Sequence, residues 1–211
     1  MAEIEIAVTK IGANSITRNG EVSLEYIQKI ALAGRKMYLL GKYPILVSSG
    51  AVAAGMEEFG IEERPKEMKQ LRYLSAVGAR GLWNLYASEF EKYGMRAVYI
   101  PATWRNFETK KERKSIKDMV NMAFEKKDAI IFNNHDALND DELGFSDNDQ
   151  LMVAVAKAVG ANYCIFVTDH GNMGSGGAKS KEKAIKELKN LGVKVKVGGI
   201  AILNDLETLL S

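Results

Sequence analysis

The sequence predicts an α/β fold: a mainly parallel central sheet with helices on both faces, an αβα sandwich. Three observations carry this. Apolar runs of strand length alternate with amphipathic helical stretches along the whole chain. Some runs, such as Ala129-Ile-Ile-Phe-Asn133, are apolar without alternation, as a strand covered on both faces must be. The 211 residues show no linker, internal repeat or low-complexity tract, so residues 1–211 read as a single domain.

Each element has its own signal. Ile4, Ile6 and Val8 alternate with Glu5 and Ala7 and predict a first strand ending at Thr9-Lys10-Ile11-Gly12. A polar loop through Gly20 leads to Ser23, an N-cap for a helix with Ile27, Ile30, Ala31, Gly34 and Met37 on one face. Val22 stands where it can staple against Ile27, and Gly41 stops the helix. Ile45, Leu46 and Val47 form a second strand that runs through Ser48-Ser49-Gly50 into a helix. Pro65 opens a long helical region, with Leu71, Leu74, Val77, Leu82, Leu85, Tyr86 and Phe90 at helical spacing around Gly78. Tyr73 and Trp83 lie off that stripe, so more than one face is apolar.

Met95 to Pro101 is a third strand, and Thr109-Lys-Lys-Glu112 is a capping box opening a helix to Lys126. The fourth strand, Ala129 to Asn133, precedes a polar stretch and a helix bearing Leu151, Ala154, Val155, Ala158 and Val159, with Asp149 a good N-cap for it. Tyr163 to Thr168 is a fifth strand. Ser180 to Leu191 is a helix with Ala184, Ile185, Leu188 and Leu191 inward. Val193 to Val197 and a short helix from Asp205 to Leu210 complete the chain.

Composition excludes several classes. A net charge of +2 demands neither nucleic acid nor an anionic membrane. The basic residues between Lys110 and Lys117 fit a solvated helix face. No run approaches the ~20 apolar residues of a membrane span. The amino terminus has no basic lead or signal-length apolar stretch, so the expectation is a cytoplasmic protein. One cysteine, Cys164 in an apolar strand, rules out a disulfide framework within the chain.

In an open α/β sheet, polar groups just after the strands converge on one crevice. Here these are Lys10 and Gly12, then Ser48, Ser49 and Gly50, then Asn133, Asn134, His135 and Asp136, then Thr168, Asp169 and Gly174-Ser-Gly-Gly-Ala-Lys-Ser-Lys181. Gly50 lets an anion approach the unpaired N–H groups of a first helical turn, and both serines offer hydroxyls. Lysines, glycine turns and carboxylates together suit phosphoryl transfer. Neither a P-loop nor a G-x-G-x-x-G fingerprint is present. His135 and His170 lack partners at metal-ligand spacing and read as loop histidines, with no protein metal site.

Five stretches occur in a telling order: Val8-Thr-Lys10-Ile-Gly12, Val47-Ser-Ser-Gly-Ala-Val-Ala-Ala-Gly55, Ser146-Asp-Asn-Asp-Gln-Leu151, Val167-Thr-Asp169 and Gly174 to Lys181. Together they resemble the amino acid kinase superfamily, and within it the glutamate 5-kinase branch, from Val8 to about Gly199. The resemblance implies that Lys10 and Lys181 grip the phosphoryl group in flight and that Asp149 holds both lysines. It implies an amino-acid site of Ser49, Gly50, Asn133, Asp136 and Asn148. It places ATP, with Mg²⁺, against Lys10, Gly12, Thr168, Asp169, Ser175, Gly176, Gly177, Ala178, Lys179, Ser180 and Lys181. The implied reaction phosphorylates a side-chain carboxylate, that of L-glutamate first, as in the opening step of proline biosynthesis. The alternatives are a kinase for another small acid, or a kinase-fold binding module with little turnover. The partners expected are an amino acid, a nucleotide and a second copy of the chain, since Leu71 to Phe90 corresponds to a dimer interface in related kinases.

Three departures stand out. Asn133-Asn134-His135-Asp136 replaces the family's Asn-Glu-Asn-Asp. Only four residues separate Asp169 from Gly174, where the family has a long nucleotide-covering excursion. The chain also stops early, with no RNA-binding-like extra domain expected after it. A shortened cover predicts weak discrimination among purine nucleotides, with GTP competing against ATP within about tenfold.

Overall fold

A computed structural model describes residues 5–134, 147–168 and 177–210. Its centre is a six-stranded sheet in the order β5-β6-β4-β1-β7-β8, with every neighbouring pair parallel. The strands are β1 (Glu5–Ile11), β4 (Lys42–Ser48), β5 (Ala97–Pro101), β6 (Ala129–Asn133), β7 (Tyr163–Val167) and β8 (Lys194–Gly198). β1 lies between β4 and β7, so the chain winds outward from it in both directions. A ligand crevice belongs at that switch point, outside the carboxyl ends of β4, β1 and β7. All five residues of β6 and of β7 are buried, in keeping with their unbroken apolar runs.

Strand alternation divides the interior into two cores. Val8, Ile45, Val47, Ile130 and Phe132 face α4 (Lys110–Lys126), α5 (Asp147–Val159) and α6 (Gly177–Asn190). Ala7, Ile11, Leu46 and Ile131 face α1 (Leu24–Leu39), α3 (Met68–Glu91) and α7 (Leu206–Leu209). The second face also takes up Leu82, Tyr86 and Phe90 of α3. Leu71 and Leu74 instead pack on Val52 and Met56 of α2 (Ala51–Glu58). Most of the α3 stripe is therefore satisfied inside one chain, because one core and a satellite cluster receive it. Tyr73 alone of its large apolar side chains remains 61% exposed.

The caps behave as their chemistry requires. Ser23 Oγ accepts from Tyr26 N–H at 3.4 Å, Val22 and Ile27 join one core, and Thr109 and Glu112 close a capping box. Asp205 caps α7 through Thr208 N–H.

Four expectations change. The polar loop before Gly20 contains a small antiparallel hairpin, β2 (Thr17–Arg18) with β3 (Glu21–Val22). Its turn is Asn19-Gly20 with both φ values positive, as the Asn-Gly pair of a type I′ turn requires. Asp149 is not the N-cap of α5, since that helix already includes Asp147. α6 begins at Gly177, three residues before the expected start at Ser180, so Gly177, Ala178 and Lys179 belong to its first turn. Leu191 is 52% exposed because it follows the last helical residue and leaves the inward stripe.

Candidate active site

The carboxyl ends of β1, β4 and β7 are laced together. Gly12 N–H donates to Val167 O at 3.0 Å, and Ser49 N–H donates to Ile11 O at 3.0 Å. Ser15 Oγ reaches the same Val167 carbonyl at 3.2 Å. These bonds set the spacing of the side chains that follow each strand.

Lys10 shares the face of Ile6 and Val8, and so points toward α5. Its Nζ stands 3.1 Å from Asp149 Oδ1, with the two side chains 9% and 2% exposed. Asp149 Oδ1 accepts no aligned hydrogen bond among the described residues, so this contact is ionic rather than directional. Next to Asp149, Asn148 Nδ2 donates to Ser49 Oγ at 2.9 Å, while its buried Oδ1 has no partner among the described residues. Lys181, in the second turn of α6, donates to Thr168 Oγ1 at 3.0 Å. Burial pulls the Lys181 ammonium below the ordinary lysine range, repulsion from Lys10 adds to this, and attraction to Asp149 opposes it. The start of α5 thus meets the ends of β1 and β4 through Lys10 and Ser49, while Lys181 of α6 meets the end of β7 through Thr168.

Gly50 opens α2 in the left-handed region at φ +106°, and a Cβ there would stand 2.3 Å from Ile16 Cδ1. The first turn of α2 has no side-chain cap among the described residues. Gly12 sits between Val167 and Lys10, with Lys10 Nζ 4.0 Å from where its Cβ would be.

Two serines that looked alike in the sequence part company. Ser48 turns to the α3 face and lies 2.9 Å from Tyr86 Oη, so its hydroxyl is not offered to an anion in the crevice. Strand alternation is the reason: Ser49, one residue on, takes the crevice side. Asn133 also belongs to the α3 side. Its amide donates to Ser48 O at 2.7 Å, and it lines a small gap with Tyr86 and Tyr99. The structure therefore groups Lys10, Asp149, Asn148, Ser49, Lys181 and Thr168, with Gly12 and Gly50 beside them, and keeps Asn133 behind the strand ends. Lys179 is exposed and Ser180 half-buried on α6, which Gly177 and Ala178 open. Asp136, Asp169, Ser175, Gly176, His135 and His170 lie outside the described residues. Among the described residues no three His, Cys, Asp or Glu side chains gather as metal ligands.

The sequence places Tyr86 in the apolar stripe of α3. A polar tip on a fully buried aromatic was the available sign of another role.

Comparison with known proteins places the fold. The model of the amino acid kinase family matches residues 5–195. The chain belongs to this family. Glutamate 5-kinase of Aquifex aeolicus (strain VF5) is 30% identical over 202 residues, covering 92% of this chain and 57% of that protein. Glutamate 5-kinase of Prochlorococcus marinus subsp. pastoris is 30% identical over 191 residues, covering 89% and 53%. The chain thus spans about half the length of the curated relatives it matches. Among solved structures, T. acidophilum isopentenyl phosphate kinase in its product complex superposes with a TM-score of 0.68 at 12% identity, covering 97% of this chain and 95% of that one. Carbamate kinase from Giardia lamblia bound to AMP-PNP gives 0.68 at 14% identity, covering 99% and 96%. Both likenesses establish the amino acid kinase fold. No helix among the described residues is long and apolar enough to cross a membrane.

Proposed function

We propose that this amino acid kinase domain transfers the γ-phosphoryl group of ATP to a small carboxylate, with the side-chain carboxylate of L-glutamate as the acceptor. The observation that carries this is the buried Lys10–Asp149 pair set beside Lys181, with Ser49 and Asn148 adjoining it. Two cations near one carboxylate, only Lys10 paired with it directly, leave a surplus positive charge in a sheltered crevice. A transferring phosphoryl group needs that charge, and a buried lysine is worth more there than in water.

The residues fit ATP. Lys10, Gly12 and Lys181 would meet its phosphates, Thr168 and the start of α6 lie alongside, and the bound nucleotide would supply the phosphoryl group with Mg²⁺ neutralising part of its charge. Asp149 keeps the lysines from repelling each other out of position. On the acceptor side, the Ser49 hydroxyl, the Asn148 amide and the open first turn of α2 at Gly50 orient a carboxylate. Glutamate is favoured by the glutamate 5-kinase relatives, which this chain covers in part.

The test incubates the protein with ATP, Mg²⁺ and hydroxylamine, which traps an acyl phosphate as its hydroxamate. Glutamate is expected to give product, with aspartate and N-acetylglutamate as competing acceptors. Absence of hydroxamate with all three would overturn the reading.

A further inference from the structure

The group that aims the acceptor side of this crevice lies behind the sheet. Tyr86 is 1% exposed, and its Oη stands 2.9 Å from Ser48 Oγ. Ser48 Oγ is also 2.9 Å from the Ser49 carbonyl oxygen. A carbonyl only accepts, so the single Ser48 hydroxyl proton goes to Ser49 O, and Tyr86 must donate to Ser48. The bonds thus run in one direction, from Tyr86 O–H through Ser48 O–H to the Ser49 carbonyl. Burial pushes the Tyr86 phenol up and keeps its proton in place. From the other side, Asn133 Nδ2 pins the Ser48 carbonyl at 2.7 Å.

A trans peptide sets its C=O and N–H on opposite sides. Holding the Ser49 carbonyl toward α3 therefore turns the Gly50 N–H toward the crevice, where Ser49 Oγ meets Asn148. That amide donates to no acceptor among the described residues. We infer that Tyr86 is a positioning residue for phosphoryl transfer: its buried hydroxyl, acting through Ser48, aims the Gly50 amide at the acceptor carboxylate. The inference rests on the function proposed above. A phenylalanine would fill the ring's place equally well, so packing alone does not call for the hydroxyl.

Tyr86→Phe and Ser48→Ala break the same relay at two points. Each is expected to raise KM for glutamate about three- to tenfold, the scale of one neutral hydrogen bond, with KM for ATP within about twofold of the parent. The double variant should be no worse than either single, since each change already cuts the relay. Hydrogen exchange at the Gly50 amide should quicken in both single variants, and this readout needs no turnover. A purely structural hydroxyl would lower the thermal midpoint while leaving glutamate KM and Gly50 exchange at parental values, and that result overturns the inference. If the parent protein forms no hydroxamate, the proposed reaction fails separately, and unchanged Gly50 exchange in Tyr86→Phe would still refute the relay.

Discussion

Lys10 at the end of β1 and Asp149 in the first turn of α5 meet at 3.1 Å, nearly closed off from solvent. Burying two charges is costly, and a pair so sheltered is weak support for stability in itself. Its value lies in holding a cation where a developing negative charge can use it.

Replacing Lys10 with alanine should lower kcat on the order of 10²- to 10³-fold, as losing one preorganised electrostatic donor does. It should also destabilise the fold by roughly 3–5 kcal/mol, because Asp149 would remain buried without its partner. Lys181→Ala should cost a similar factor in rate but only about 1 kcal/mol or less in stability, since Lys181 is half-buried. Steady-state kinetics and urea unfolding separate the two effects. Near-normal turnover in Lys10→Ala would show that the crevice is not where phosphate moves.

Lys181 brings a pH signature. Its pKa lies below the usual 10.5, and it serves the reaction only when protonated. The rate should therefore fall on the alkaline side before pH 10.5 is reached. In Asp149→Asn the one influence that raises this pKa is gone, so the alkaline limb should move to still lower pH and the maximal rate should drop. Stability follows the opposite course. Between the lowered folded value and 10.5 the unfolded chain binds more protons, so Lys181 makes the fold more stable as pH rises through that window. Its penalty is fully present below the folded value. A kcat profile with the same alkaline limb in both proteins would contradict this assignment.

The helices α2 and α3 touch backbone to backbone. A Cβ on Gly78 would stand 2.1 Å from Ala51 O and 2.2 Å from Gly55 N. Neither atom can yield without moving the start of α2 at Gly50. Gly78→Ala should destabilise by roughly 3 kcal/mol and raise KM for the acceptor. Gly81, one turn along the same helix, has nothing within 4 Å of its Cβ position among the described residues. Gly81→Ala should be neutral or stabilise by up to about 1 kcal/mol through helix propensity. Thermal unfolding of the two variants, side by side, tests the contact; equal melting would refute it.

Tyr73 and Phe59 are 61% and 50% exposed, stack at 5.8 Å, and border an apolar groove with Ile61, Pro65 and Leu74. An exposed apolar surface of this kind marks an interaction site, and the prediction is that a second copy of the chain covers it. A homodimer is expected by sedimentation velocity at micromolar concentration, and Tyr73→Arg should yield a folded monomer. A monomeric parent protein would count against the dimer.

Much of this fold was legible in the residue pattern. The apolar runs of β4, β6 and β7, the Ser23 cap and the Thr109–Glu112 box mark their elements with local chemistry, which needs no tertiary partner. Lys10, Ser49 and Lys181 also pointed to one crevice, because parallel strands present their carboxyl ends on the same edge of a sheet, whereas Asn148 and Asp149 entered only through the resemblance to the amino acid kinases. Asn19-Gly20 carries an equally local turn signal.

What the amino-acid sequence determined by itself was where strands and helices form and which polar residues follow the strands. Only the tertiary structure decided which side of the sheet each of those residues serves. Ser48 and Ser49 are chemically identical, yet one bonds to Tyr86 on α3 and the other to Asn148 on α5. Strand alternation guarantees that neighbours point apart, but says nothing about which helix waits on either face. That depends on how each crossover packs back onto the sheet, and it is set by contacts between residues far apart in the chain, such as Gly78 against Ala51 and Lys10 against Asp149.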